Sequence, residues 1–114
     1  MTAYAIAHLH PAELNDEIIT YMERIQATLD PFGGRFLVHG ATVEIVEEPW
    51  PGTVVVIAFP DMDNARSWYA SDAYQEILPL RTRNIEGTAI LVPGVPPGYD
   101  ILGTAATLAE QIVR

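Results

Sequence analysis

The sequence predicts an α+β fold, a four-stranded antiparallel sheet with two crossover helices on one face, assembled from two copies of the chain. Three observations predict it. Val54–Phe59 reads VVVIAF, six apolar residues with no polar alternation, so this strand is buried on both faces. Ahead of its tail the chain offers two good amphipathic helical stretches, enough to cover one face of a small sheet. A short Pro- and Gly-rich turn precedes the apolar run and makes it the antiparallel partner of the strand before it. An uncovered apolar face on the order of several hundred Å² is rarely tolerated in a soluble monomer. Something outside the chain must cover the second face, most simply a second copy.

Each element follows from local pattern. Tyr4–His10 (YAIAHLH) is a short strand, stopped by Pro11, which suits the first turn of a helix. Leu14, Ile18, Met22, Ile25 and Leu29 then recur at helical spacing with acids in the first turns, and Pro31 and Gly33–Gly34 end the helix. Arg35–Glu47 reads as a long second strand with a bulge or bend at Gly40, and Glu48–Gly52 is the turn. Thr53–Phe59 is the third strand. Asp61 or Asp63 caps a short helical face of Ala65, Trp68 and Tyr69. Asp72 with Gln75 three residues on resembles a capping box, so a second helix restarts there through Tyr74, Ile77, Leu78 and Arg81, with Pro79 kinking or shortening it. Thr88–Val92 is the fourth strand. A proline-stiffened linker from Pro93 leads to a last helix over Ile101–Arg114, apolar at Leu102, Ala105, Leu108, Ala109 and Ile112.

The order strand–helix–strand–strand–helix–strand, with right-handed crossovers, gives a split βαβ sheet, the ferredoxin-like βαββαβ plait. Two bare sheet faces packed together make a dimeric α+β barrel. The expected division is a domain over residues 1–93 and a linker with helical extension over 94–114.

Composition narrows the function. The chain has 114 residues, 49% of them hydrophobic, which fits one domain with its own core. Net charge is −9 and every positive charge is arginine. Phosphate backbones and anionic lipid repel such a chain, so nucleic acid and membrane are not expected partners. There is no cysteine, which excludes disulfides, thiolate nucleophiles and zinc–thiolate sites within the chain. The N-terminus lacks the basic and long apolar segments of a signal peptide, and no apolar run approaches the roughly 20 residues of a membrane span. A cytoplasmic homodimer is the expectation.

Gly33–Gly40 (GGRFLVHG), then VVVIAFPD, Ala65–Tyr74 (ARSWYASDAY) and Arg81 occur in that order. In these words, and over roughly residues 2–93, the chain resembles the bacterial family called Domain of Unknown Function 1330. The resemblance implies membership of the dimeric α+β-barrel superfamily, which includes cofactor-independent monooxygenases, polyketide cyclases, isomerases and haem-degrading enzymes. The family has no agreed activity, and it often carries arginine where His39 stands.

Candidate site residues come from sorting the strands by face. The face under the helices is dry, so charged groups point the other way. Phe36, Val38, Ala5, Ala7 and Leu9 then lie under the helices, while Arg35, Leu37, His39, Tyr4, Ile6, His8 and His10 face the barrel. His39 and His8 are candidate catalytic bases, because imidazole titrates near neutral pH, and Arg35 is a candidate for stabilising an oxyanion with paired donors. The alternatives are interface histidines holding hydrogen bonds and a surface arginine paired with an acid. Arg81 either reaches over the cavity mouth or pairs with Glu76 or Glu86. Trp68, Tyr69 and Tyr74 can stack on an aromatic ligand, although aromatics at helical spacing also build cores. His8 and His10 point the same way along a strand, with His39 or Glu44 as a third group, but that spacing alone does not assign a metal. No phosphate loop, dinucleotide fingerprint, nucleophile elbow or H-E-x-x-H is present, so no cofactor is expected.

Two functional classes follow. One is a cofactor-free enzyme of oxygenase, cyclase or isomerase type, acting on a small, partly apolar carbonyl or aromatic compound. The other is a non-catalytic module binding such a compound. A purely structural dimer is the third possibility.

Overall fold

A computed structural model describes residues 1–112. The elements in chain order are β1 (Ala3–Leu9), α1 (Asp16–Leu29), a single 3-10 turn (Asp30–Phe32), β2 (Arg35–His39), β3 (Thr53–Phe59), α2 (Met62–Ala70), α3 (Asp72–Thr82), β4 (Gly87–Pro93) and α4 (Ile101–Ala109). The sheet order is β2-β3-β1-β4, and every neighbouring pair is antiparallel. This is the ferredoxin-like plait with an extra C-terminal helix. β3 sits between β2 and β1, so both of its edges are hydrogen-bonded within the sheet.

The ends of the elements are set by side-chain caps. α1 starts at Asp16 rather than at Pro11, because Asn15 Oδ1 accepts from the Ile18 amide at 3.0 Å. Leu14 therefore falls outside the helix and is exposed. Asp61 caps α2 by accepting from the Asn64 amide at 2.8 Å. Ser71, one residue before the expected Asp72, caps α3 by accepting from the Tyr74 amide. Gln75 does not reach back to that cap, as a capping box requires; its Nε2 donates to the Tyr69 carbonyl at 2.6 Å. α3 runs on through Pro79 to Thr82.

β2 departs most from expectation. It ends at His39 rather than Glu47, because Gly40 turns left-handed at φ 74° and β3 begins only at Thr53, leaving residues 41–52 no strand to pair with. The bulge lies at Leu37, not Gly40: Phe36 pairs with Ile57 and Val38 with Val56, so Leu37 is the extra residue. An extra residue reverses the alternation beyond it. Val38 turns to the outer face and His39, opposite Val55, turns to the helix side. That corrects the face expected for both residues.

The core lies between the sheet and the helices. Phe59, Leu29 and Ile77 are its largest fully buried side chains, joined by Ile57, Ala65, Trp68 and Tyr74. Trp68 packs on Phe59, with ring centres 5.4 Å apart, and its Nε1 donates to Thr28 Oγ1 at 3.0 Å, so its one polar atom is satisfied inside. α1 packs chiefly on α3, while α2 packs on β1, β3 and β4. Arg83 bonds Glu17, and Asn84 bonds both Glu17 and Asn15, tying the start of α1 to the end of α3. Exposed pairs of this kind add little stability and serve mainly to align the two helices.

β4 continues into the tail through the Gly94 amide, which donates to the Thr2 carbonyl at 2.7 Å. Beyond it α4 stands off the domain with none of its residues buried. The radius of gyration is 17.1 Å, against about 13 Å for a compact domain of this length. α4 ends at Ala109, short of the expected Arg114, and residues 113–114 of that expectation lie outside the described residues.

Candidate functional site

Small residues make room. Ala5 and Ala7 of β1 and Ala89 of β4 share the helix-side face with Val55 and Ile57 of β3. Methyl side chains there leave a gap that leucines would fill, and α1 spans it. The result is a cavity of about 570 Å³ between the sheet and the helices. That volume suits an aromatic or short acyl compound. The lining is mostly apolar, and its polar groups come from four elements: His39 on β2, Tyr21 on α1, Trp68 and Tyr69 on α2, and Tyr74 and Arg81 on α3.

These groups are arranged rather than scattered. Tyr21 and Tyr74 share a hydroxyl–hydroxyl hydrogen bond of 2.8 Å. Tyr74 also stacks against Trp68, with ring centres 4.1 Å apart, and lies 5.6 Å from the Tyr69 ring. The Arg81 guanidinium sits 6.0 Å from the centre of the Tyr21 ring, within cation–π range. His39 rests edge-on against Phe36, with 5.2 Å between ring centres.

Burial is the main cause that pushes the Tyr21 phenol well above the ordinary tyrosine range, and Tyr74 reinforces it. Tyr21 therefore stays protonated throughout the neutral range. Burial opposes the charge on Arg81, but the Tyr74 and Tyr21 oxygens together outweigh it and hold the guanidinium above its ordinary value. Arg81 is a fixed cation.

Of the residues singled out from the sequence, His39, Arg81, Trp68, Tyr69 and Tyr74 share this cavity. His8 and Arg35 do not. Arg35 is exposed on the edge strand opposite Ala58, on the outer face. His8, also outward, donates from its ring to the Pro51 carbonyl and lies 4.6 Å from the Trp50 ring, fastening the 40–52 loop to β1. His10 stacks on His8 at 5.2 Å, and no group of three or more metal-ligating side chains converges among the described residues. Arg81 does not pair with Glu76, which instead faces Arg24 at 3.5 Å.

Tyr21 was missed. It stands one position before Met22, on the buried side of α1, and its signal is a hydroxyl at the edge of an apolar helical stripe. Phe36 and Met22 also line the cavity; both read from the sequence only as core.

Comparison with solved structures places the fold. A protein of unknown function from Rhodopseudomonas palustris, RPA0582, superposes with a TM-score of 0.64 at 13% identity, covering 84% of each chain. SnoaB, a cofactor-independent oxygenase from Streptomyces nogalater, superposes with a TM-score of 0.51 at 16% identity, over 87% of this chain and 96% of its own. An antibiotic biosynthesis monooxygenase gives a TM-score of 0.50 at 15% identity, over 84% of this chain and all of its own. These identities carry the fold alone. No functionally curated protein matches the chain in sequence. The profile of one sequence family spans residues 2–95, the whole plait with the start of the linker, and the chain belongs to that family, the Domain of unknown function (DUF1330).

Proposed function

We propose that this protein binds a small, partly apolar carbonyl or aromatic compound in the cavity under its helices, and acts on it without a cofactor through His39 as general base. The observation that carries this reading is that His39, just past the bulge at Leu37, lines a mostly apolar cavity. Apolar walls hold the body of the compound, and an imidazole near neutral pH can take a proton next to its carbonyl. SnoaB, which shares the fold, is a cofactor-independent oxygenase, and this supports a scaffold that needs no prosthetic group.

The test uses acetophenone as probe. Wild-type protein in D₂O should accelerate exchange of the methyl protons, and His39→Gln should remove most of that acceleration, about 100-fold or more. Ala7→Leu, which fills the floor of the cavity, should abolish binding of the probe as read by ligand-observed NMR. Binding with no accelerated exchange favours the non-catalytic module. No binding at all ends both readings.

The working unit we propose is a cytoplasmic homodimer. The outer face presents Leu37, 46% exposed, and Ile90, 56% exposed, beside the half-buried Ile6, Val54 and Val56. A second copy would cover this face and close a barrel, and the detached apolar α4 would pack across the same junction. Val56→Lys puts a charge at the middle of the junction. Light scattering should then show twice the chain mass for the wild type and a single chain for the variant. A monomeric wild type at high concentration overturns this assembly.

A further inference from the structure

Resting on the cavity reading above, we propose that the Arg81 end of the cavity is an anion site, and that the ligand is a carboxylate carried on an aromatic or short aliphatic body. Arg81 is only 8% exposed. The ion pairs among the described residues engage Arg24, Arg66 and Arg83, so the buried Arg81 has no carboxylate partner there. Its neighbours are the Tyr21 ring, the Tyr21 and Tyr74 oxygens, and the cavity. A buried charge without a counterion is costly, and proteins keep one where something else supplies the opposite charge.

The end of α3 does not supply enough. Arg81 lies in the last turn, where helix carbonyls favour a cation, but its own carbonyl is already taken by the Asn84 and Ile85 amides. Tyr21 and Tyr74 are neutral hydroxyls. They share one hydrogen bond, which uses one of their two O–H protons and leaves the other free to donate outward. A planar guanidinium fork beside a free O–H suits a planar carboxylate, with two donors from the arginine and one from a tyrosine. Trp68, Phe36 and Val55 then meet an apolar body. The chain as a whole carries net charge −9, so its long-range field repels anions and the attraction must be local.

The experiment titrates benzoate and benzamide, matched in shape and differing in charge, into the full chain by calorimetry. Benzoate should bind the wild type at least 10-fold more tightly than benzamide. Arg81→Gln should erase that preference, and Arg81→Lys should restore part of it. Equal affinity of the wild type for both probes overturns the anion site while the cavity reading stands. Undiminished benzoate affinity in Arg81→Gln also overturns it. Failure of both probes to bind the wild type removes the cavity and the anion site together. The wild-type comparison decides the matter even where a variant does not fold.

Discussion

Gly52→Ala is expected to lower stability by about 3 kcal/mol or more, although it deletes no side-chain atom. Gly52 has φ 100°, a conformation that L side chains rarely adopt. A Cβ added there meets the Leu9 carbonyl oxygen, the Leu9 carbonyl carbon and the His10 Cα. All three are backbone atoms, so no side chain can rotate out of the way. The start of β3 must separate from the end of β1, and the Leu9–Thr53 pair is the first lost. Gly40 is the control. Its φ of 74° is also left-handed, but nothing lies near its missing Cβ, so Gly40→Ala should carry only backbone strain, about 1 kcal/mol. Urea denaturation of the two variants side by side measures the difference. Equal midpoints would mean that the approach at Gly52 is not rigid.

Phe59→Ala should cost about 3–5 kcal/mol, the range for removing a buried aromatic ring. Phe59 is 1% exposed and ends β3, one of the two interior strands. It supports Trp68 directly, and Trp68 in turn supports Tyr74 on the cavity wall. The variant therefore tests a structural and a functional link together. Denaturant midpoints give the first, read at fixed protein concentration because association would otherwise shift them. Loss of benzoate binding under conditions where the variant is still folded gives the second. Phe59→Leu keeps most of the volume and should cost less than half as much.

The regular parts of the molecule were legible because their patterns are local. The apolar run at Thr53–Phe59 marked a strand with the bounds it has, and turn residues on either side left no other reading. Pro60-Asp61 and Ser71-Asp72 placed two helix starts to within a residue. Residues 43–47 (VEIVE) misled. They alternate like a strand, yet Ile45 is 55% and Val46 86% exposed, because strand formation needs a neighbour and β3 was already used up. The site was half legible. Tyr74 and Arg81 share one side of α3 by spacing alone, whereas their meeting with Trp68 and Tyr69 of α2 depends on how the two helices pack. Simple alternation puts His39 on the outer face because it cannot know about one unpaired residue at Leu37, whereas the structure puts it on the lining under the helices. The cavity itself left only a faint trace: alanines at positions 5, 7 and 89 look like ordinary strand residues until their partners across the sheet are known.

The unpaired residue in β2 carries a tolerance with it. β2 has a neighbour on one side only, so it can shed a residue without disturbing a second strand. Excising Leu37 joins Phe36 directly to Val38, and those two already oppose Ile57 and Val56 in succession, so His39 would keep its place across from Val55. Chain length at this margin is free to drift by one while the imidazole holds its aim, and aligning homologues without a gap here would match side chains that point in opposite directions.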